Sequence, residues 1–539
     1  MARRVFRISI LLFYLPISAV LVTGFYIITL TFPPTRMSAG SSLPEIQSIL
    51  RLPKTTAANS SWNVVSQSIT VGRPFYVLLT ARDATGRKKS TGGDMFNAVL
   101  RGKVGSVPAS VAGEVTDFFN GSYLITFVPP WSGKASIDVE LWLSSYLVDV
   151  VKATIDANYI FSCTFGNNYG IHIDYVGPQM RDSLLEIQTI ARETESSAVR
   201  VCHMNGKPDQ LPRFYSSCDM KFRYRYDWYG VCEGPPAPNS ATCDSIQWCI
   251  YHDTMKSNNA AESASARLHT GAVTSKVKSV WISIGDKPTT EFSKETCKRQ
   301  PFVKPTGYWL GNQWINRDCS FQCDTKEKWW KCLTNRELYL IGDSTVRQLH
   351  IVVLSSIDLM QPQLSLYIPE NLLNTYVKKY NATIRYRLHG LPLQTNLGMN
   401  FTGATFVADT IDAISGNGNE IILISTIQHF LLLPPDIFRQ RMEHMATAVR
   451  HLRQRKMGKT VPLIFSTGNP RGFDSFRLNS YRIKWYNQIV AETFAAANVG
   501  IIVYDVFDMM ASSTDPQMPH QPQERMAVKL SHILSLACQ

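Results

Sequence analysis

Three polar residues, one of them far from the other two along the chain, could together run acyl chemistry. Ser344 follows Gly342 and Asp343 in ELYLIGDSTVRQLH, while Asp515 and His520 stand close together in a proline-rich stretch near the carboxyl end. A serine hydroxyl is a weak nucleophile until a base takes its proton, and the base needs a further group to hold it in place. A late Asp–His pair folding back on Ser344 would supply both. The apolar run that ends at Ile341 breaks at Gly342 and resumes as a helical pattern beyond Ser344, so the serine belongs on a sharp strand-to-helix turn. Backbone N–H groups at a helix start favour negative charge there, which suits an oxyanion. The plainer alternative is that Ser344 only caps its helix. Gly-Asp-Ser alone is a short motif; the preceding strand, the following helix and the late Asp–His pair give it weight.

Such a turn needs a sheet to present it. From Arg336 onward the strand candidates ELYLIG, EIILIST, VPLIFSTG and VGIIVYDV alternate with the helical stretches STVRQLHIVVLSSI, PPDIFRQRMEHMATAVRHLRQRK and SYRIKWYNQIVAETFAAAN. That alternation predicts an α/β domain with a parallel sheet over 331–539, its site at the carboxyl ends of the strands. Ser344, Gln428-His429-Phe430, Thr467-Gly468-Asn469 and the segment after Val506 all fall at such ends. His429 is a candidate to line the pocket. Arg347, one turn into the helix, can pair with Asp343 or meet an anionic substrate, and pairing is the simpler expectation. Asp343 reads as a turn-fixing residue, and His532, on the final helix, as structural.

Upstream the texture differs. Short alternating runs between 61 and 155 (QSITVG, PFYVLLTARD, NAVLRGKV, GSYLITFVPP, ASIDVELWLSS), separated by turn residues, predict a β-sandwich. GSYLITF and ASIDVEL read as adjacent antiparallel strands. Ten of the 11 cysteines fall between Cys163 and Cys332, the eleventh being Cys538, and residues 156–330 read as a Cys-rich linker region. Clustered cysteines point to disulfides in an oxidising compartment. Zinc is the minor alternative, on the loose spacing of Cys319 and Cys323, and no metal site is expected. Cys538 is expected to bond a cysteine of the Cys319–Cys332 group, and the odd count leaves one thiol free or intermolecular. Aromatic runs such as YRYDWYG and KWWKC read as core filling ahead of sugar stacking.

The amino end adds a compartment. Arg3, Arg4 and Arg7 precede an uncharged run from Ile8 to Phe32, longer than the ~20 residues a bilayer core needs. With the positive charges on the amino side, 1–36 reads as a cytoplasmic tail and signal-anchor helix of a single-pass type II membrane protein. Residues 37–60 form the stem, and a cleaved signal peptide with a secreted product is the alternative. Sequons at Asn59, Asn120, Asn381 and Asn400 fit a lumenal chain. The formal charge of +13 admits acidic glycans or phospholipid headgroups as partners. No dense Lys/Arg block accompanies it, and no nucleic-acid partner is expected.

Several phrases carry a family resemblance: TGGDMF, DFFNGSYLITF, GYWLGNQW, YLIGDSTVRQ, QHFLLLPPDIF and the terminal DVFDM with its later His and Cys. From about residue 60 to the end the chain resembles the neurexophilin and PC-esterase domain (NXPE) family. More remotely it resembles the wider Gly-Asp-Ser superfamily, which includes plant cell-wall polysaccharide O-acetyltransferases and the sialate O-acetyltransferase. The resemblance implies a neurexophilin-like, immunoglobulin-type sandwich followed by a PC-esterase domain of SGNH-like fold. It also implies roles: Ser344 nucleophile, His520 base, Asp515 its orienter, with Gly342 in the oxyanion turn. Two departures stand out. Asp515 and His520 are separated by PQMP where the family motif has two residues, which makes Asp508 a substitute for Asp515. Ile427 replaces a glycine before Gln-His-Phe, which leaves Asn469 as an alternative oxyanion donor. The implied activity is O-acetyl transfer to a glycan or glycoprotein in the Golgi, with sialic acid the favoured acceptor. Acetyl-CoA would be the donor, and no bound cofactor is expected. The alternatives are a carbohydrate acetylesterase and a non-catalytic, neurexophilin-like protein that binds a cell-surface receptor.

Overall fold

The computed structural model describes residues 54–153, 160–165, 172–176, 200–204, 230–233, 246–252, 270–275, 279–284, 295–360, 372–389, 406–431, 435–474 and 478–539. The strand Glu337–Gly342 lies inside a seven-stranded sheet. Its order is Phe302–Val303, Ile502–Tyr504, Leu463–Ser466, Glu420–Ser425, Glu337–Gly342, Ala382–Leu388, Asn374–Val377. Neighbours run parallel except at the last edge, where Asn374–Val377 is antiparallel to Ala382–Leu388. Side chains alternate across a strand, so the covering of both faces explains why these strands read as continuous apolar runs. Ile341, Ile422 and Ile424 pack toward the helices Pro435–Gln454 and Ser480–Ala497. Leu338, Leu340, Ile421 and Leu423 pack toward Ser344–Ser355, Gln523–Ala537 and Lys326–Leu333. The register sets Gly342 opposite both Ser425 and Leu388, so the ends of three strands meet at one edge.

The N-terminal part is a β-sandwich. One sheet holds Ser61–Val64, Phe75–Thr80, Ser122–Phe127 and Glu114–Asp117. In the facing sheet Gly133–Leu143, Met95–Val104, Val107–Ala112, Gly307–Leu310 and Gln313–Asn316 follow one another, with Gly271–Ala272 and Val280–Ile282 also pairing with Gly133–Leu143. Phe75, Val77, Leu79, Tyr123, Ile125 and Phe127 of the first sheet meet Leu100, Val139 and Leu141 of the second. A further sheet is formed by Ile160–Phe165, His172–Val176, Arg200–Met204, Gly230–Glu233 and Ile246–His252.

This arrangement corrects the fold class expected from the sequence. Strand pairing over the described residues is mostly antiparallel, and the sheet behind Ser344 is mixed and takes an edge strand from outside 331–539. An SGNH-like domain with a parallel sheet is therefore not established. Nor is 156–330 merely a Cys-rich linker, because four of its strands complete the sandwich sheet. No described helix is long and apolar enough to cross a membrane, and the run Ile8–Phe32 lies outside the described residues. GSYLITF and ASIDVEL are not neighbours either: the chain crosses from one sheet to the other between Phe127 and Gly133, through two prolines. QSITVG makes only the bridge Thr70–Ser283.

Two disulfides lie in the described region, Cys297–Cys319 and Cys332–Cys538. The second makes the expected attachment of Cys538. The first removes Cys319 from any zinc site with Cys323, which is buried and free. Cys332–Cys538 spans a sequence separation of 206, and closing a loop of that size stabilises by about 5 kcal/mol in the chain-entropy account. Cys538→Ser is expected to lower the melting temperature clearly, and non-reducing peptide mapping should return a Cys332–Cys538 peptide pair. Recovery of Cys538 as a free thiol from secreted or lumenal material would contradict the pairing.

Candidate functional site

The turn after Glu337–Gly342 is built around a close backbone approach. A Cβ on Gly342 would overlap the carbonyl oxygen of Ser425 and crowd Val346. The next N–H, of Asp343, donates to the same Ser425 carbonyl at 3.0 Å. Asp343 is fully buried and its carboxylate is spent locally. Oδ1 accepts from the Thr345 N–H at 2.9 Å and the Thr345 hydroxyl at 2.6 Å, and Oδ2 accepts from the Gln428 N–H at 3.1 Å. Asp343 is thus the N-cap of the helix Ser344–Ser355, and Ser344 is its first residue. The capping task leaves the Ser344 side chain unoccupied.

That side chain meets His520. Nε2 of His520 lies 2.6 Å from Ser344 Oγ, across 176 residues of sequence. The loop that carries His520 is pinned by its backbone. Gly472 N–H donates to the Gln517 carbonyl at 2.7 Å, Asn469 Nδ2 to the Pro519 carbonyl at 3.0 Å, and Gln348 Nε2 to the Gln521 carbonyl at 2.9 Å. Burial pushes the His520 imidazole below its ordinary pKa, and the cations Arg347 and Arg471 add to the shift against the pull of Asp343. The shift favours the neutral ring, the form that can accept a proton, although the residue itself is exposed.

The other expected site residues divide. Asp515 is exposed, and its carboxylate takes the hydroxyl of Thr514 at 3.2 Å. Asp508 pairs with Lys304 at 2.5 Å; burial raises its pKa, but Lys304 and Lys484 outweigh this and hold it low. Among the described residues no carboxylate is hydrogen-bonded to His520. Arg347 does not pair with Asp343, whose oxygens are taken, and its Nε is buried without a partner. Asn469 uses an amide hydrogen to hold the Pro519 carbonyl, while its buried Oδ1 has no partner. His429 is buried, with Nδ1 2.9 Å from Nε2 of His389, and burial with the nearby charges of Arg347, His520 and Arg471 pushes its pKa down to about 3. His532 sits away from this group, 2.6 Å from the Tyr504 hydroxyl and stacked on Phe321.

Several residues near Ser344 escape the sequence reading. His389 ends Ala382–Leu388, a strand whose alternation of Ala382, Ile384, Tyr386 and Leu388 was the available signal. Arg471, bound to Asp474 and to Gln428 Oε1, stands on the loop after Asn469. Lys529 lies on the apolar face of the last helix between Met526 and Leu530; burial lowers its pKa to about 8 against the field of Asp343. A lysine at an apolar-face position was the sign to follow. Asn59, Asn120 and Asn381 are all exposed, and Asn400 lies outside the described residues. Among the described residues no group of three His, Cys, Asp or Glu could hold a metal ion.

A solved structure that resembles part of this chain is the Lin-41 filamin domain, over 16% of this chain and 80% of that one, at 19% identity. Its TM-score is 0.13. Residues 314–538 match the family described as "NXPE family member 4-like, C-terminal domain". The matched span holds Ser344, His520 and six of the seven strands of the sheet that presents them, and it is this C-terminal domain that belongs to the NXPE family.

Proposed function

We propose that this chain is an acyl-transfer enzyme in which Ser344 is the nucleophile and His520 the general base. The observation that carries the reading is the 2.6 Å contact between Ser344 Oγ and His520 Nε2, with Asp343 rather than Ser344 capping the helix. Ser344 Oγ attacks the acyl carbonyl carbon while its proton passes to His520 Nε2. Collapse of the tetrahedral adduct breaks the bond to the leaving group, which takes that proton from His520. The acyl-serine is then attacked by an acceptor hydroxyl whose proton passes to His520; the bond from the acyl carbon to Ser344 Oγ breaks, and His520 returns the proton to Oγ. Charge on the adduct oxygen falls at the amino end of Ser344–Ser355, where helix N–H groups favour it.

Glycan O-acetylation in the secretory-pathway lumen is the fuller form of this proposal, with acetyl-CoA as donor and sialic acid as acceptor. The two disulfides support an oxidising compartment, and the unpartnered Nε of Arg347 suits an acceptor carrying a carboxylate. With water as acceptor, the same steps make an acetylesterase. One observation favours the non-catalytic, receptor-binding reading: among the described residues His520 has no carboxylate to orient it.

Ser344→Ala and His520→Ala should each lower glycan O-acetylation in expressing cells by about 10³-fold or more, because the pair acts as a unit. Asp515→Asn and Asp508→Asn should cost far less, since neither carboxylate reaches the ring. Normal O-acetylation by the Ser344→Ala protein would remove the enzyme reading and leave the binding one.

A titration gives an independent check. Because burial and two nearby cations disfavour imidazolium, NMR of the His520 ring should return a pKa below the ordinary ~6.5. Activity should therefore persist as pH falls through that value and be lost only below it. A His520 pKa at or above the ordinary value would contradict the described environment.

A further inference from the structure

We infer that the β-sandwich is a working part of the candidate site, because a row of donors on its outer face holds the backbone that leads to His520. The inference rests on the reading of Ser344 and His520 as the reacting pair. Phe96, Ala98 and Leu100 of Met95–Val104 face the sandwich core, so Asn97 and Arg101 face away from it. On the adjacent strand Ala109 and Val111 face that core, and Ser110 faces away. The register places Arg101 opposite Ser110, and Ser110 opposite Trp309, so the three form a line across the sheet.

What the line meets is the end of the short helix Phe507–Ala511 and the chain just beyond it. The last carbonyls of a helix lack intrahelical partners. Here they are served by donors distant in sequence, one 200 residues away and three more than 400. Trp309 Nε1 donates to the Met509 carbonyl at 2.7 Å and Asn97 Nδ2 to Ala511 at 3.2 Å. Ser110 Oγ donates to Ser512 at 2.7 Å and Arg101 Nη2 to Ser513 at 3.3 Å. Arg101 is itself aimed by Asp138, which accepts from its Nε at 2.7 Å. A guanidinium at a helix carboxyl end also meets the negative pole of the helix dipole.

The loop 514–522 begins where this clamp ends. Its far side is held by Gly472, Asn469 and Gln348, and its near side by the sandwich through residues 509–513. A histidine base normally takes its orientation from a carboxylate. Among the described residues His520 has none, and its position comes from a backbone anchored at both ends. Arg101, Ser110 and Asn97 are accordingly positioning residues, and a C-terminal domain without the sandwich lacks half of the mounting for its base.

The test uses the full-length chain with Arg101→Ala plus Ser110→Ala, the conservative pair Arg101→Lys plus Ser110→Thr, and Lys103→Ala as an exposed control on the same strand. Two readouts are taken: amide hydrogen exchange over 514–522, and Ser344 labelling by a fluorophosphonate, separated into KI and kinact. The double alanine variant should exchange faster in that loop and lose ~10–100-fold in kinact with KI unchanged, as expected when a reacting group is misplaced by a remote change. The conservative pair should recover part of the loss, and Lys103→Ala should match the parent. Unchanged exchange and unchanged kinact in a folded double variant would overturn the inference. Should that variant fail to fold, Asp138→Asn, which only frees Arg101, reads the same two quantities and must move them in the same direction. If the parent chain itself does not label, the Ser344–His520 reading fails, while the exchange measurement still decides the clamp.

Discussion

The contact between Gly342 and the Ser425 carbonyl governs the candidate site. With no Cβ in the way, the ends of two parallel strands close together, and the Asp343 N–H reaches the same carbonyl. That closure carries the buried Asp343 carboxylate to the start of the helix, where three donors use it. Buried carboxylates persist only when hydrogen-bonded, so the turn has little freedom to relax. Ser344 is what remains: a hydroxyl at a helix start, relieved of capping and held at a fixed edge of the sheet.

Around that fixed point the Asp343 carboxylate is joined by the cations Arg347 and Arg471 and by imidazoles. Arg347 and Arg471 act electrostatically on both His429 and His520, and burial presses both imidazoles toward neutrality. His429 and His389, nitrogen to nitrogen at 2.9 Å, share a single hydrogen bond, which one ring must donate and the other accept. A histidine beside the serine, with its neutral form favoured, is what the acyl-transfer proposal requires. The division of labour is unusual only in that orientation of the base comes from main-chain anchors.

Much of the local grammar was legible in the sequence. The break at Gly342, the three long helices and the four apolar strands are written in composition and period, and the Ser344–His520 encounter followed from placing a late histidine near a strand-end serine. Less legible was what depends on partners distant in sequence. Glu114–Asp117 and Val107–Ala112 are short or proline-bearing, and they become strands because neighbours pair with them. Residues 307–316 fall in the stretch read as a Cys-rich linker region, yet they pair into the sandwich sheet. Asn469 looked like an oxyanion donor from its position at a strand end, but one of its amide hydrogens goes to the Pro519 carbonyl, a contact no local pattern reveals. Arg347 was expected to pair with Asp343 four residues before it; the carboxylate was already committed to the cap and to Gln428.

The most direct measurement of the central claim is intact-mass analysis after exposure to a serine-reactive fluorophosphonate. The account predicts a single adduct on the wild-type chain, mapped to Ser344, and no adduct at that position in the folded His520→Ala protein. An adduct formed equally in both proteins, or none in either, would contradict the assignment of His520 as the group that activates Ser344.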